Sequence, residues 1–92
     1  MTSVVVTPLE HNRYGVKITE GDITTGHRVS VPPELLDDLG IVDADPVEVV
    51  RQAIGFLLDR EPATAIWEHF PLDQIAQHYP DFYDELLTRL AA

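Results

Sequence analysis

Ile23-Thr24-Thr25-Gly26-His27-Arg28-Val29-Ser30-Val31-Pro32-Pro33-Glu34-Leu35-Leu36 is the stretch on which the fold turns. Up to Val31 the pattern has period two. Thr25, His27, Val29 and Val31 share one face and Arg28 and Ser30 the other, as in a half-buried strand. Pro32-Pro33 ends that period and opens a helical one, because proline pre-sets the first helical turn and Leu35, Leu36 and Leu39 follow at helical spacing up to Gly40. The same junction divides the charge. Residues 1–31 balance Glu10, Glu20 and Asp22 against Arg13, Lys17 and Arg28. Residues 32–92 set thirteen acids against Arg51, Arg60 and Arg89, so the whole net charge of −10 resides there.

Upstream, Val4-Val5-Val6 is a β-branched run ended by Pro8. Tyr14, Val16 and Ile18 alternate with Gly15, Lys17 and Thr19, and Glu20-Gly21-Asp22 supplies a turn. Short connections favour antiparallel pairing, since a parallel crossover needs a dozen residues or more. The expectation is a three-stranded antiparallel meander over about residues 3–31. Downstream, Asp45 suits an N-cap, Pro46 the first helical position, and Glu48 lies three residues past the cap. Val47, Val50, Ile54, Leu57 and Leu58, with Val49, Ala53 and Phe56 on a second face, predict a helix to about Arg60 buried on more than one side. Gly55 within it points to a close backbone approach. Pro62, Pro71 and Pro80 then predict short helices near 64–69, 71–78 and 80–90, the last with acids early and Arg89 late. The fold class read from the chain is α+β: one domain over 1–92, with a strand half (1–31) and an acidic half (32–92) of four or five helices packed on one face.

Composition narrows the chemistry. With 45% hydrophobic and 24% charged residues the chain is an ordinary globular domain. It has no Cys, so disulfides, thiol nucleophiles and Cys-ligated metals are excluded. No apolar run approaches the roughly 18 residues of a membrane span, and a cytoplasmic protein without membrane partners is expected. His11, His27, His69 and His78 form no H-x-H or H-E-x-x-H pair. His27 stands out by sharing a strand face with Val29 and Val31, which predicts partial burial with a hydrogen-bond partner. The acidic clusters Asp37-Asp38, Asp43/Asp45 and Asp81/Asp84-Glu85 lack the spacing of a calcium loop. Ser3 and Ser30 lack a nucleophile-elbow context, and no glycine-rich phosphate loop precedes a helix. The chain therefore reads as a non-enzymatic module with no catalytic residue, metal or cofactor.

Two surfaces remain. Trp67, Phe70, Tyr79 and Tyr83 crowd the tail and are candidate protein contacts, because Trp and Tyr dominate binding hot spots; the alternative is that they pin short helices to the body. Trp67, set between Pro62 and Pro71, is expected in the core within a short docked helix. Arg13, Lys17, Arg28 and Ser30 on the strands are the candidate nucleic-acid contacts if the chain binds DNA. Net charge of −10 predicts no affinity for bulk nucleic acid at physiological salt. The expected partner is another protein, and the neutral strand half with open sheet edges predicts a homodimer. An accessory subunit of a larger enzyme is a further alternative.

The stretch from His27 to Leu36 followed by Val47 to Leu58 resembles ribbon-helix-helix DNA-binding proteins, which implies strands paired between two copies and Arg28 and Ser30 facing the major groove. Residues 31–41 followed by Asp45-Pro46-Val47-Glu48-Val49-Val50 also look like looped-hinge antitoxin domains, but the helical pattern through Leu58 departs from the returning strand of that family. A broader likeness is to small prokaryotic α+β proteins. It rests on Thr24-Thr25, His27, Val29 and Val31-Pro32; on Phe56-Leu57-Leu58 and Arg60-Glu61-Pro62; and on Phe70, Leu72, Ile75 and Tyr79-Pro80. That resemblance spans most of residues 14–85 and implies the same strand-then-helix order, without bringing an activity, cofactor or catalytic residue.

Overall fold

The computed structural model describes residues 2–41 and 43–91. Strands β1 (Thr2–Pro8), β2 (Arg13–Glu20) and β3 (Ile23–Ser30) form the expected antiparallel meander. The β1–β2 connection holds His11 and Asn12 at φ 53° and 60°, a left-handed pair that Asn and His tolerate better than most residues. The β2–β3 turn has only two residues, with Gly21 at φ 59°. Helices α1 (Pro33–Leu39) and α2 (Pro46–Leu58) follow, and α1 ends at Gly40 in the left-handed conformation. Asp45 caps α2, its carboxylate accepting from the Val47 N–H at 3.0 Å. Glu48 does not turn back to the cap. It accepts from Gln52 and Arg51 one turn on, which holds its carboxyl below the usual range.

Beyond Pro62 the expected short helix over 64–69 is absent. A single 3₁₀ turn (Ala63–Ala65) leads into a fourth strand, β4 (His69–Pro71), which pairs parallel to β3. Too few residues lie between Pro62 and Pro71 for a self-supporting helix. The outer edge of β3, by contrast, carries backbone groups that need partners once the helices bury them. Arg28 N–H donates to the Glu68 carbonyl at 2.7 Å and Leu72 N–H to the Ser30 carbonyl at 2.8 Å, so Pro71, which has no N–H, sits in the strand without orphaning a bond. The sheet is therefore four-stranded and mixed, in the order β1-β2-β3-β4. Helix α3 (Asp73–His78) and helix α4 (Phe82–Ala91) each begin two residues later than Pro71 and Pro80 suggest.

The core lies between one sheet face and the helices. Val6, Val16, Ile18, Val29 and Phe70 come from the sheet. Six residues of α2, with Leu72, Ile75, Phe82 and Leu86, come from the helical layer. Phe56 is its hub: fully buried, edge-on to Phe82 at 5.1 Å and to Tyr79 at 5.7 Å, and capped by the Arg60 guanidinium 3.7 Å above its ring centre. The backbone approach expected at Gly55 is not what lies there: a Cβ would meet the flexible end of the Arg89 side chain at 3.3 Å.

His27 fastens the late strand to the early ones. It is 6% exposed on the core face of β3. Its Nδ1 lies 2.7 Å from the Trp67 carbonyl, which can only accept, so Nδ1 carries a proton; Nε2 meets the Thr25 hydroxyl at 2.8 Å. From the other side, the Glu20 carboxylate accepts from the Ala63 N–H at 2.8 Å and holds the 3₁₀ turn against β2.

Candidate functional site: the open face of the sheet

Strand alternation sends Val4, Val6, Tyr14, Val16, Ile18, His27 and Val29 toward the helices. Val5, Thr7, Arg13, Gly15, Lys17, Gly26, Arg28 and Ser30 take the opposite face, which no helix covers. The register builds a cation triangle there. Arg13 and Lys17 flank Gly15 along β2, and Arg28 lies directly across from Gly15 on β3. Each neighbouring pair is diagonal in the ladder, roughly 7–8 Å apart at Cβ. His69, opposite Arg28 on β4, extends the same row.

These cations differ from the rest of the chain. Arg51 pairs with Glu48 at 2.5 Å, Arg60 with Asp81 at 2.8 Å, and Arg89 with Asp59 and Glu85. Every basic residue of the helical half is thus engaged internally. Among the described residues, Arg13, Lys17 and Arg28 have no ion-pair partner. The acids of the strand half stay off the face, since Glu10 and Asp22 sit in the turns and Glu20 points inward to Ala63.

Apolar surface lies alongside. Val5 (52% exposed) and Leu9 border the face, whereas Ile23, also exposed, has the strand parity of His27 and Val29 and lies off it. A shallow trough of about 610 Å³ runs over Gly15 and Gly26 between Val5, Leu9, Lys17, His69 and one acid, Glu68. A smaller concavity of about 340 Å³ adjoins it at the β4 end, lined by Arg13, Arg28, Ser30, His69, Phe70 and Pro71.

The four strand residues singled out from the sequence, Arg13, Lys17, Arg28 and Ser30, therefore share one surface. The four tail aromatics do not. Phe70 is 4% exposed in the core. Trp67 is half-buried in an extended segment, 5.4 Å from Phe70 and 4.8 Å from His78. Tyr79 and Tyr83 are half-buried beside Phe56 and Phe82 respectively. The Tyr79 hydroxyl donates to Glu61 at 2.7 Å, and that bond followed by burial raises its pKa; burial, then the charges of Asp73 and Asp38, raises that of Tyr83. Because Trp67 is half-covered and not in a helix, Trp67→Ala is expected to cost about 2 kcal/mol, roughly half the value for a fully buried ring. Its emission should lie between core and water-like limits, and a fully red-shifted spectrum in the folded protein would contradict this packing.

Val5, Leu9 and His69 were not legible as site residues. A three-valine run does not reveal which valine faces outward, and His69 joins the face only through the β3–β4 pairing. Among the described residues no three His, Asp or Glu side chains gather to hold a metal ion, and no helix is long and apolar enough to cross a membrane. Comparison of the chain with protein-family models, curated proteins and solved structures found no match, so the geometry of this face carries the functional reading.

Proposed function

We propose that the protein is a non-enzymatic binding module whose open sheet face takes an acidic, partly apolar segment of a protein partner. The observation that carries this reading is the division of the cations: three engaged within the helical half, three unpaired around Gly15 on an uncovered surface. The net charge of −10 does not oppose it. The acids belong mostly to a helical layer on the far side of the sheet, layers pack roughly 10 Å apart, and charges are screened over about 8 Å at physiological salt. A ligand confined to the face meets three cations, Arg13, Lys17 and Arg28, against one lining acid, Glu68. A long polyanion reaching past it meets the acids.

A fluorescein-labelled decapeptide of alternating Glu and Val tests this by anisotropy. Saturable binding that weakens with salt is expected, with at least a tenfold loss when Arg13, Lys17 and Arg28 are all replaced by Ser. Absence of saturable binding at low salt would overturn the reading.

The shared face of Arg13, Lys17, Arg28 and Ser30 also supports a second reading, contact with a nucleic-acid backbone. Three phosphate contacts would give a salt slope of about −2.7 on duplex DNA. The face offers no exposed Phe, Tyr or Trp for stacking single-stranded bases, which favours the protein partner. The strand exchange implied by the ribbon-helix-helix resemblance is not open to Arg28–Ser30, the part of β3 that pairs with β2 on one edge and β4 on the other.

Self-association belongs to the same proposal. β1 is a seven-residue edge without a charged residue, guarded only at its end by Pro8, whereas well-guarded edges carry Lys, bulges or a short strand. Two copies of β1 paired across a two-fold axis give one continuous eight-stranded sheet. Light scattering at high micromolar concentration is expected to show a dimer that Val5→Lys converts to monomer. A wild-type monomer there would refute the pairing.

A further inference from the structure

We infer that the concavity at the β4 end of the open face is a subsite for a phosphate monoester, so that the partner segment presents a phosphorylated side chain there. The inference rests on the reading of the open face as a partner surface and names the group read within it.

The donor set carries the argument. Arg28 on β3 is diagonal to Arg13 on β2, Ser30 lies across from Arg13, and His69 lies across from Arg28, so four side chains rise from adjacent rungs of three strands. They line one concavity of about 340 Å³. Two guanidinium forks present four N–H donors in pairs, and the Ser30 hydroxyl and an imidazole N–H add two more. A carboxylate has two oxygens and is satisfied by a single fork. A phosphate monoester has three terminal oxygens and a charge of about −1.5 to −2, which matches two forks and two further donors. The floor is Phe70 and Pro71, without a carboxylate of its own. Glu68, whose Oε1 is 3.9 Å from His69 Nε2, lines the adjoining trough and not the concavity, and its side chain is largely exposed. Lys17, on the far side of Gly15, lies outside the concavity and supplies charge without bidentate geometry.

The test compares two labelled acidic decapeptides that differ only at the centre, one with phosphoserine and one with Glu, and adds free phosphoserine and inorganic phosphate in an amide chemical-shift titration of the full chain. The phosphopeptide is expected to bind at least tenfold more tightly, with shifts centred on Arg28, Ser30 and His69. Arg28→Lys keeps the charge but loses the fork, and is expected to erase the preference while the Glu peptide still binds. Lys17→Ala is expected to weaken both peptides alike. Equal affinity for the two peptides would overturn the phosphoryl subsite and leave the acidic-segment reading standing. Binding of free phosphoserine or phosphate at these residues, with neither peptide bound, would keep the subsite and overturn the partner segment. No response to any phosphate probe would overturn the subsite outright.

Discussion

Phe56→Ala is expected to destabilise the protein by about 3–5 kcal/mol, which for a domain of this size is a large share of the roughly 5–15 kcal/mol available. The ring is fully buried, and its loss strips the edge contacts of Phe82 and Tyr79 and the surface under the Arg60 guanidinium. α2 has no second residue placed to refill the space, because Val49, Val50, Ala53, Ile54 and Leu57 are already packed. At about 4–8 °C per kcal/mol the melting temperature should fall by roughly 12–40 °C. The cause is separable from charge. Arg60→Met keeps a chain over the ring and loses the ion pair to Asp81, and is expected to cost about 1 kcal/mol or less, since the pair is largely exposed. Calorimetry showing Phe56→Ala within 1 kcal/mol of the wild type would mean that α2 and α4 do not meet through this ring.

His27→Ala is the second large effect, and it acts on the site through the fold. The imidazole donates to the Trp67 carbonyl and meets the Thr25 hydroxyl from a buried position on β3. Removing it leaves that carbonyl without its side-chain donor, a penalty of about 1–3 kcal/mol, and opens a cavity between β3 and the segment entering β4. A total of about 2–4 kcal/mol is expected by urea unfolding. Amide exchange should report where it falls. The Arg28 and Leu72 amides, which hold β3 and β4 together, are expected to lose protection before those of β1 and β2. With β4 loosened, His69 leaves its row beside Arg28, and ligand binding at the β4 end of the face should weaken although no residue of that face is altered. Uniform protection across the sheet would separate His27 from the anchoring of β4.

What could be read from the chain was whatever a local period encodes. Alternation in Tyr14–Thr19 and Ile23–Val31 placed Arg28 and Ser30 opposite the core and put His27 inside it. The Asp45-Pro46 start placed α2. The charge division at Pro32-Pro33 likewise coincides with the change from sheet to helices. The tail aromatics were ambiguous for a physical reason. A large ring in a short segment can anchor the segment or face a partner, and the choice depends on what lies underneath.

The sequence by itself therefore determined the faces, the element order through α2, and the supply of unbalanced charge, since these follow from side-chain spacing along a single segment. Tertiary structure alone decided three things. It turned residues 69–71 from helix into strand, because the edge of β3, forty residues earlier, needed backbone partners that a short helix between two prolines does not provide. It half-buried Trp67, whose carbonyl serves His27. It also carried Arg60 to Asp81 and Arg89 to Asp59 and left Arg13, Lys17 and Arg28 unpaired around Gly15, because a long-range ion pair depends on which surfaces meet; only Arg51–Glu48 and Arg89–Glu85 follow from helical spacing.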